Sequence, residues 1–238
     1  MGAKYVQYMT ADVVSAPLDR AHHHTERLIH LPHSLLPANH RHLHANSSLD
    51  TPPPPRATFG LPPAPAFVFC AFNTLYKVDP TVFAVWMAIL RRVPGSVLWV
   101  PGSPAGSTAY LRAEAAHHGV SPSRLRVLPW LADHEHLTAK ALCQLFLDTP
   151  SYNAHVTGTD ALWVGIPLLT LPAEKVGSRI AAGLVATLGR LPRDELVVRC
   201  APVVICAKRE SAVWKSSSPV DRCSLAGQLR ESQRCRGR

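Results

Sequence analysis

The chain is poor in several features that would point to common classes of protein. Charged residues make up only 17% of its 238 positions, too few for a highly charged disordered chain. No stretch approaches the ~18 consecutive apolar residues of a membrane span. The opening MGAKYVQYMTAD lacks the apolar core of a secretory signal. None of the six cysteines forms a CxxC pair, which argues against a zinc ribbon or a thioredoxin-like redox motif. Cys70 and Cys143 fall in apolar runs, where a reduced, buried thiol is the ordinary state. These features together lead us to expect a soluble protein in a reducing compartment.

What is present is apolar residues, proline and an excess of basic charge. Apolar residues reach 47%, so a sizeable core can be built. The formal charge of +9 and a pI near 9.6 invite a nucleic-acid reading. The distribution weakens it. Residues 190–238 hold eleven Lys or Arg against five Asp or Glu, about two thirds of the whole excess. No basic stripe with interleaved aromatics crosses the middle, so nucleic acid is not an expected partner.

Three zones follow from periodicity. Residues 1–66 are rich in His and Pro, ending in the runs Asp50–Pro55 and Leu61–Pro65. A proline-rich stretch is a stiff spacer by default, which predicts a remnant lobe over 1–49 and a linker over 50–66. Residues 67–197 hold the regular part. Within residues 198–238, Ser216–Pro219 and Ser224–Arg238 carry few apolar residues and no period, and the segment is expected to be a disordered basic tail.

Within the regular part, short apolar runs alternate with helical stretches. The expected strands are Phe67–Phe72, Ser96–Val100, Leu125–Leu128, Leu145–Leu147 and Leu168–Leu171. Between them the spacing predicts helices from Pro80 to Val93, Thr108 to His118, Asp133 to about Cys143, Thr157 to Val164 and Lys175 to Leu188. Asp79-Pro80 supplies a cap and a first-turn proline. This alternation predicts an α/β fold with a Rossmann-like parallel sheet, whose strands read as solid apolar runs because both faces are covered. Ligands of such sheets sit beyond the carboxyl ends of the strands. The informative loops are therefore Asn73–Asp79, Pro129–His136 and Asp148–Asp160.

Each loop carries polar chemistry. In DTPSYNAHVTGTD, a helix start rich in small and hydroxyl residues offers free N–H groups to a phosphate, and Asp160 could accept ribose hydroxyls. A simple cap by Thr157, with Asp160 three residues on, is the plainer alternative. Lys77 can neutralise a pyrophosphate leaving group, or be a surface lysine. Asp133-His134-Glu135-His136 hints at metal, but residues two apart on a helix point to different sides; stacking of His136 on a planar base suits it better. His22, His23, His24, His30, His33, His40, His42 and His44 lack a completing ligand array and are expected to form a polar, loop-rich surface.

FVFCAFNTLYKVDP, then PTVFAVWMAILRRVPGSVLWV, then LDTPSYNAHVTGTDALWVGIPLLTLPAEKVGSRIAAGLVATLG together resemble the catalytic region of the O-GlcNAc transferases, from about Gly2 to Gly189. Glu26–His33 resembles the end of that family's first lobe. The resemblance implies the second, nucleotide-binding lobe of a glycosyltransferase B fold. It implies metal-independent, inverting transfer of N-acetylglucosamine from UDP-GlcNAc to Ser or Thr hydroxyls of intracellular proteins, in cytoplasm or nucleus, with no cofactor. By position, Lys77 matches the lysine on the donor diphosphate, and it is the catalytic candidate. His136 matches the histidine packed on uracil, with Leu131 in the same loop. His155, Val156 and Thr157 match the His-Thr-Thr loop at the phosphates, and Asp160 matches the ribose carboxylate.

The sequence also departs from the family. Thr74 stands where the family has Gln, Val156 where it has Thr, and Asp133 where it often has Lys. The tetratricopeptide repeats, most of the first lobe and the C-terminal helices are not recognisable. These gaps predict a fragment, with catalysis by the 238 residues alone not expected and no residue to name as general base. The related O-fucosyltransferase branch, which uses GDP-fucose, and an inactive nucleotide-binding or interaction protein are the alternatives. LYK followed by HVTGTDALW is closer to the GlcNAc branch.

Overall fold

A computed structural model describes residues 2–43, 52–102 and 106–188. The expected tail, 198–238, lies outside these residues, as do His44 and the His134 side chain. Five parallel strands form the main sheet: β3 (Val68–Cys70), β4 (Val97–Pro101), β5 (Leu125–Leu128), β6 (Leu145–Leu147) and β7 (Leu168–Leu169), in the order β5-β4-β3-β6-β7. An earlier pair, β1 (Tyr8–Ala11) and β2 (Arg27–His30), makes a small parallel sheet of its own. The helices are α1 (His40–Leu43), α2 (Pro80–Arg92), α3 (Ser107–His117), α4 (Asp133–Lys140), α5 (Val156–Trp163) and α6 (Ile180–Leu188).

The parallel order follows from the alternation in the sequence. Each strand is followed by a helix that returns the chain to the same edge of the next strand. The central strands β3, β4 and β6 are buried on both faces, and two apolar clusters lie on opposite sides of the sheet. One holds Val68, Cys70, Trp99, Phe146 and Leu168; the other holds Phe69, Leu98, Leu125, Leu147 and Trp86. Alternate residues of one strand thus feed different cores.

Helix α2 shows how local chemistry sets an element. The Asp79 side chain accepts from the Val82 amide at 2.9 Å, and Pro80 occupies the first turn. Val82, Phe83, Trp86, Met87 and Leu90 form the buried stripe, and burial of Trp86 alone contributes about 2–3 kcal/mol. Pro94 and Gly95 end the helix, Gly95 at φ +77°. Beyond them Arg124 donates to the carbonyls of Leu90 (2.7 Å), Val93 (2.8 Å) and Ser96 (2.7 Å), closing the otherwise open C-terminal end.

Several expectations are corrected. Cys70 and Cys143 form a disulfide rather than two reduced thiols; they lie on β3 and just before β6, on adjacent chains of the sheet. Helix α4 ends at Lys140, not near Cys143, because Ala141–Gln144 turn into β6. The stretch from Lys175 divides into a 3-10 turn (Val176–Ser178) and α6, and β7 stops at Leu169. The described part of the proline-rich stretch lies on the sheet: Leu61 joins the core and the Phe59 ring sits 5.4 Å from Trp99. The N-terminal segment packs on α6 and the turn before it. Arg179 donates to the Val14 carbonyl (2.7 Å), and Gly183 leaves room for the Asp12 carboxylate, which a Cβ would meet at 3.0 Å.

Candidate functional site

In this strand order the direction of progression reverses between β3 and β6. Open α/β sheets bind ligands at such a switch point, beyond the carboxyl ends of the strands. Asn73–Asp79 follows β3 and Asp148–His155 follows β6, so the two loops with the most polar chemistry face each other there.

Asp148 organises them, a role sequence reasoning missed. Its Oδ1 accepts from Asn73 Nδ2 (2.9 Å), the Thr149 amide (2.8 Å) and the Ala154 amide (2.7 Å), and its Oδ2 from Thr170 Oγ1 (2.6 Å). One carboxylate therefore ties the ends of β3, β6 and β7 to the approach of α5. Burial pushes its carboxyl above the usual range, and the bonds from Thr170, Ala154, Thr149 and Asn73 pull it back. The available signal was a lone carboxylate directly after a solid apolar strand, with Asn73 in the matching place after β3.

Lys77 ends a 3-10 turn (Leu75–Lys77). Its Nζ donates to the Asn153 carbonyl at 3.0 Å and lies 4.5 Å from the Tyr152 ring centre. Burial lowers its pKa, opposed by the charge of Asp148. The His155 ring centre lies 4.8 Å from that of Tyr152, and its Nε2 lies 3.2 Å from the Gly177 carbonyl. Burial first, and then Lys77, hold the His155 imidazole below its usual pKa. Tyr152 thus bridges the two diphosphate candidates. A Cβ at Gly177 would meet its ring at 3.0 Å.

His155 is the residue before α5, with no side-chain cap bond. Thr157 as the cap is therefore corrected: Thr157 is the second helical residue. The first amides of α5, at Val156, Thr157 and Gly158, have no partner within the helix. Val156 is 62% exposed, so this end is open to solvent. Gly158 permits close packing; a Cβ there would meet Ala154 at 3.2 Å. An open helix start beside a lysine suits a phosphate group.

Asp160 lies one turn further along α5. It is not capping. His40 Nε2 lies 2.7 Å from its Oδ1, and Lys140 Nζ donates to its Oδ2 at 2.5 Å. Burial alone would raise its carboxyl; the His40 bond and the Lys140 charge hold it below the usual range. His40 is thereby corrected from a surface histidine to a buried one. His136 sits one turn before Lys140 on α4, its ring 6.2 Å from Phe72. Burial and then Lys140 lower its pKa, so the neutral imidazole, the form that stacks, is favoured. Leu131 packs partly buried against the sheet's core, and the neighbouring Trp130 is 91% exposed. Thr74 and Asp133 are exposed at the rim. Among the described residues, no three His, Cys, Asp or Glu are grouped as a metal site, and no helix is long and apolar enough to cross a membrane.

The site residues therefore fall into two neighbouring groups. Lys77, His155 and the start of α5 can hold an anion; Asp160, His136 and Leu131 can hold a hydroxylated ring and a planar base.

The glycosyl transferase family 41 model matches residues 51–201. The chain is similar to the probable UDP-N-acetylglucosamine–peptide N-acetylglucosaminyltransferase SEC of Arabidopsis thaliana, with 38% identity over 188 residues, 79% of this chain and 19% of the relative. It is similar also to the UDP-N-acetylglucosamine–peptide N-acetylglucosaminyltransferase of Caenorhabditis elegans, with 40% identity over 134 residues, 56% of this chain and 12% of the relative. Among solved structures, an O-GlcNAc transferase variant from Thermobaculum terrenum superposes with a TM-score of 0.62 at 27% identity, covering 77% of this chain and 33% of that one. The chain thus spans at most about a fifth of the length of these two curated relatives. Its Rossmann-like sheet is that of a glycosyltransferase B fold, and the chain belongs to glycosyl transferase family 41.

Proposed function

We propose that this chain is the donor-binding part of a protein O-GlcNAc transferase, holding UDP-GlcNAc for inverting, metal-independent transfer to Ser or Thr hydroxyls of protein acceptors. The observation that carries this reading is the meeting of Lys77 with the open start of α5 at the sheet's switch point. The diphosphate would lie between Lys77 and the amides of Val156–Gly158. There the fixed positive groups meet the charge that grows on UDP as the glycosidic bond breaks. Asp160 would accept from the ribose hydroxyls, and neutral His136, with Leu131, would pack on uracil. The acceptor hydroxyl would attack the anomeric carbon from the face opposite UDP.

The relatives reported above carry names that specify UDP-GlcNAc, which favours it over GDP-fucose. Lys77 and the helix amides supply the leaving-group stabilisation that a divalent ion supplies elsewhere. The test is binding of labelled UDP-GlcNAc to the chain, with UDP and GDP as competitors and with or without EDTA. The expected result is displacement by UDP at concentrations where GDP has no effect, and binding unchanged by EDTA. Displacement by GDP at those concentrations, or loss of binding in EDTA, would overturn the reading. Transfer to a Ser/Thr-rich acceptor is not expected of the isolated chain.

The proposed compartment is the cytoplasm or the nucleus. The Cys70–Cys143 disulfide stands against this compartment, since such bonds persist mainly in oxidising environments. Alkylation at lysis, followed by mass analysis, decides: free thiols would support the proposed compartment, and a fully bridged pair would overturn it.

A further inference from the structure

Asp160 is gripped from two sides by residues that no part of the nucleotide reading uses. His40 arrives from α1, 120 residues earlier, and Lys140 from the last turn of α4. The exposures are unequal in an informative way. The Lys140 side chain is 1% exposed and the His40 side chain 8%, whereas that of Asp160 is 22% exposed. In an ordinary surface ion pair the long lysine reaches into water. Here the short carboxylate is the open member and both bases lie behind it. The Trp163 ring, 5.6 Å from that of His40, packs on the same clamp.

A carboxylate offers about four lone-pair sites. One on each oxygen is taken by His40 and Lys140, and one on each remains for the open side. Two remaining acceptor sites match the two vicinal hydroxyls of a ribose. Fixing a carboxylate in this way removes the rotational freedom it would lose on binding, which favours affinity.

We propose that Lys140 and His40 are positioning residues of the ribose subsite, which turn the Asp160 carboxylate outward and make discrimination of ribose from deoxyribose depend on the N-terminal segment that carries His40. This rests on the reading of Asp160 as the ribose acceptor. Neither residue touches the nucleotide; both act through Asp160. The clamp joins three separate pieces of chain, so the segment before the proline-rich stretch becomes part of the donor site.

The test is the ratio of UDP to 2′-deoxy-UDP affinity, measured by calorimetry on the full chain. Both nucleotides use the same diphosphate and base contacts, so general damage to the fold changes both affinities and leaves the ratio alone. The wild-type chain should prefer UDP by about tenfold, equivalent to about 1.4 kcal/mol. Lys140→Met and His40→Leu should each bring the ratio to within about twofold of one, as should Asp160→Asn. His40→Gln, which retains a donor, should keep most of the preference. If Lys140→Met does not fold, the two His40 variants decide. An unchanged ratio in Lys140→Met and His40→Leu, with collapse in Asp160→Asn, would overturn the clamp and leave Asp160 as the ribose acceptor. An unchanged ratio in Asp160→Asn, or no wild-type preference, would overturn that reading, and the clamp with it.

Discussion

At the scale of residues, the site is built from side chains whose charge is set by neighbours. His136 and His155 both titrate below the ordinary 6.5, chiefly through burial. For such a group the unfolded chain binds more protons at mildly acid pH, so stability rises with pH. The stabilisation is complete above 6.5 and is lost as pH falls through the lower, folded values. Melting temperature should therefore fall as pH is lowered from 7 to 5, and the slope should flatten in the His136→Gln, His155→Gln double variant. An unaltered slope would assign the effect to other groups. Val156 is the second residue-scale case. It leads α5, where the resemblance places a threonine, and it is largely exposed. Val156→Thr should restore a hydroxyl at the phosphates and tighten UDP by about fivefold, near the net worth of one hydrogen bond, about 1 kcal/mol. Looser binding of UDP to that variant would mean that the α5 start does not face the diphosphate.

At the scale of elements, legibility followed from how local the cause was. Helix α2 could be placed to within a residue because its cap, first-turn proline, apolar stripe and terminating glycine all lie within or directly beside its own span. The position of β6 was equally plain, since a strand covered on both faces reads as a solid apolar run. Helix α4 was extended too far because Ala141 and Leu142 continue the helical pattern, while Lys140 turns inward to Asp160. That pairing is a contact between elements and leaves no trace in spacing. The same holds for His40, whose neighbours His42 and Arg41 give it the look of a surface residue. Asp148 had a local signal, but its four donors come from three places: the loop after β3, its own loop and the end of β7. Lys77, His136, His155 and Asp160 could be named as candidates because strand ends of a parallel sheet gather at one edge. Arg124 illustrates an element held by a distant residue. It binds three carbonyls at and just beyond the end of α2. Arg124→Ala should cost about 2 kcal/mol, since hydrogen bonds from a charged group are worth more than neutral ones and the site is partly exposed. Urea unfolding would measure this; a change below about 0.5 kcal/mol would show that water replaces the guanidinium freely.

At the scale of the whole molecule, the sheet order and the N-terminal segment together shape the candidate donor site. The reversal between β3 and β6 brings the Lys77 loop to the start of α5, and the segment before the proline-rich stretch delivers His40 to Asp160. The described residues of the proline-rich stretch lie against the sheet through Leu61 and Phe59. The central claim is that this edge of the sheet holds a uridine diphosphate. Calorimetric titration of UDP into the wild-type, Lys77→Ala and Asp160→Asn chains tests it most directly. The account predicts a single site, weakened at least tenfold by each substitution with melting temperature little changed in Lys77→Ala; equal UDP affinity in all three chains would contradict it.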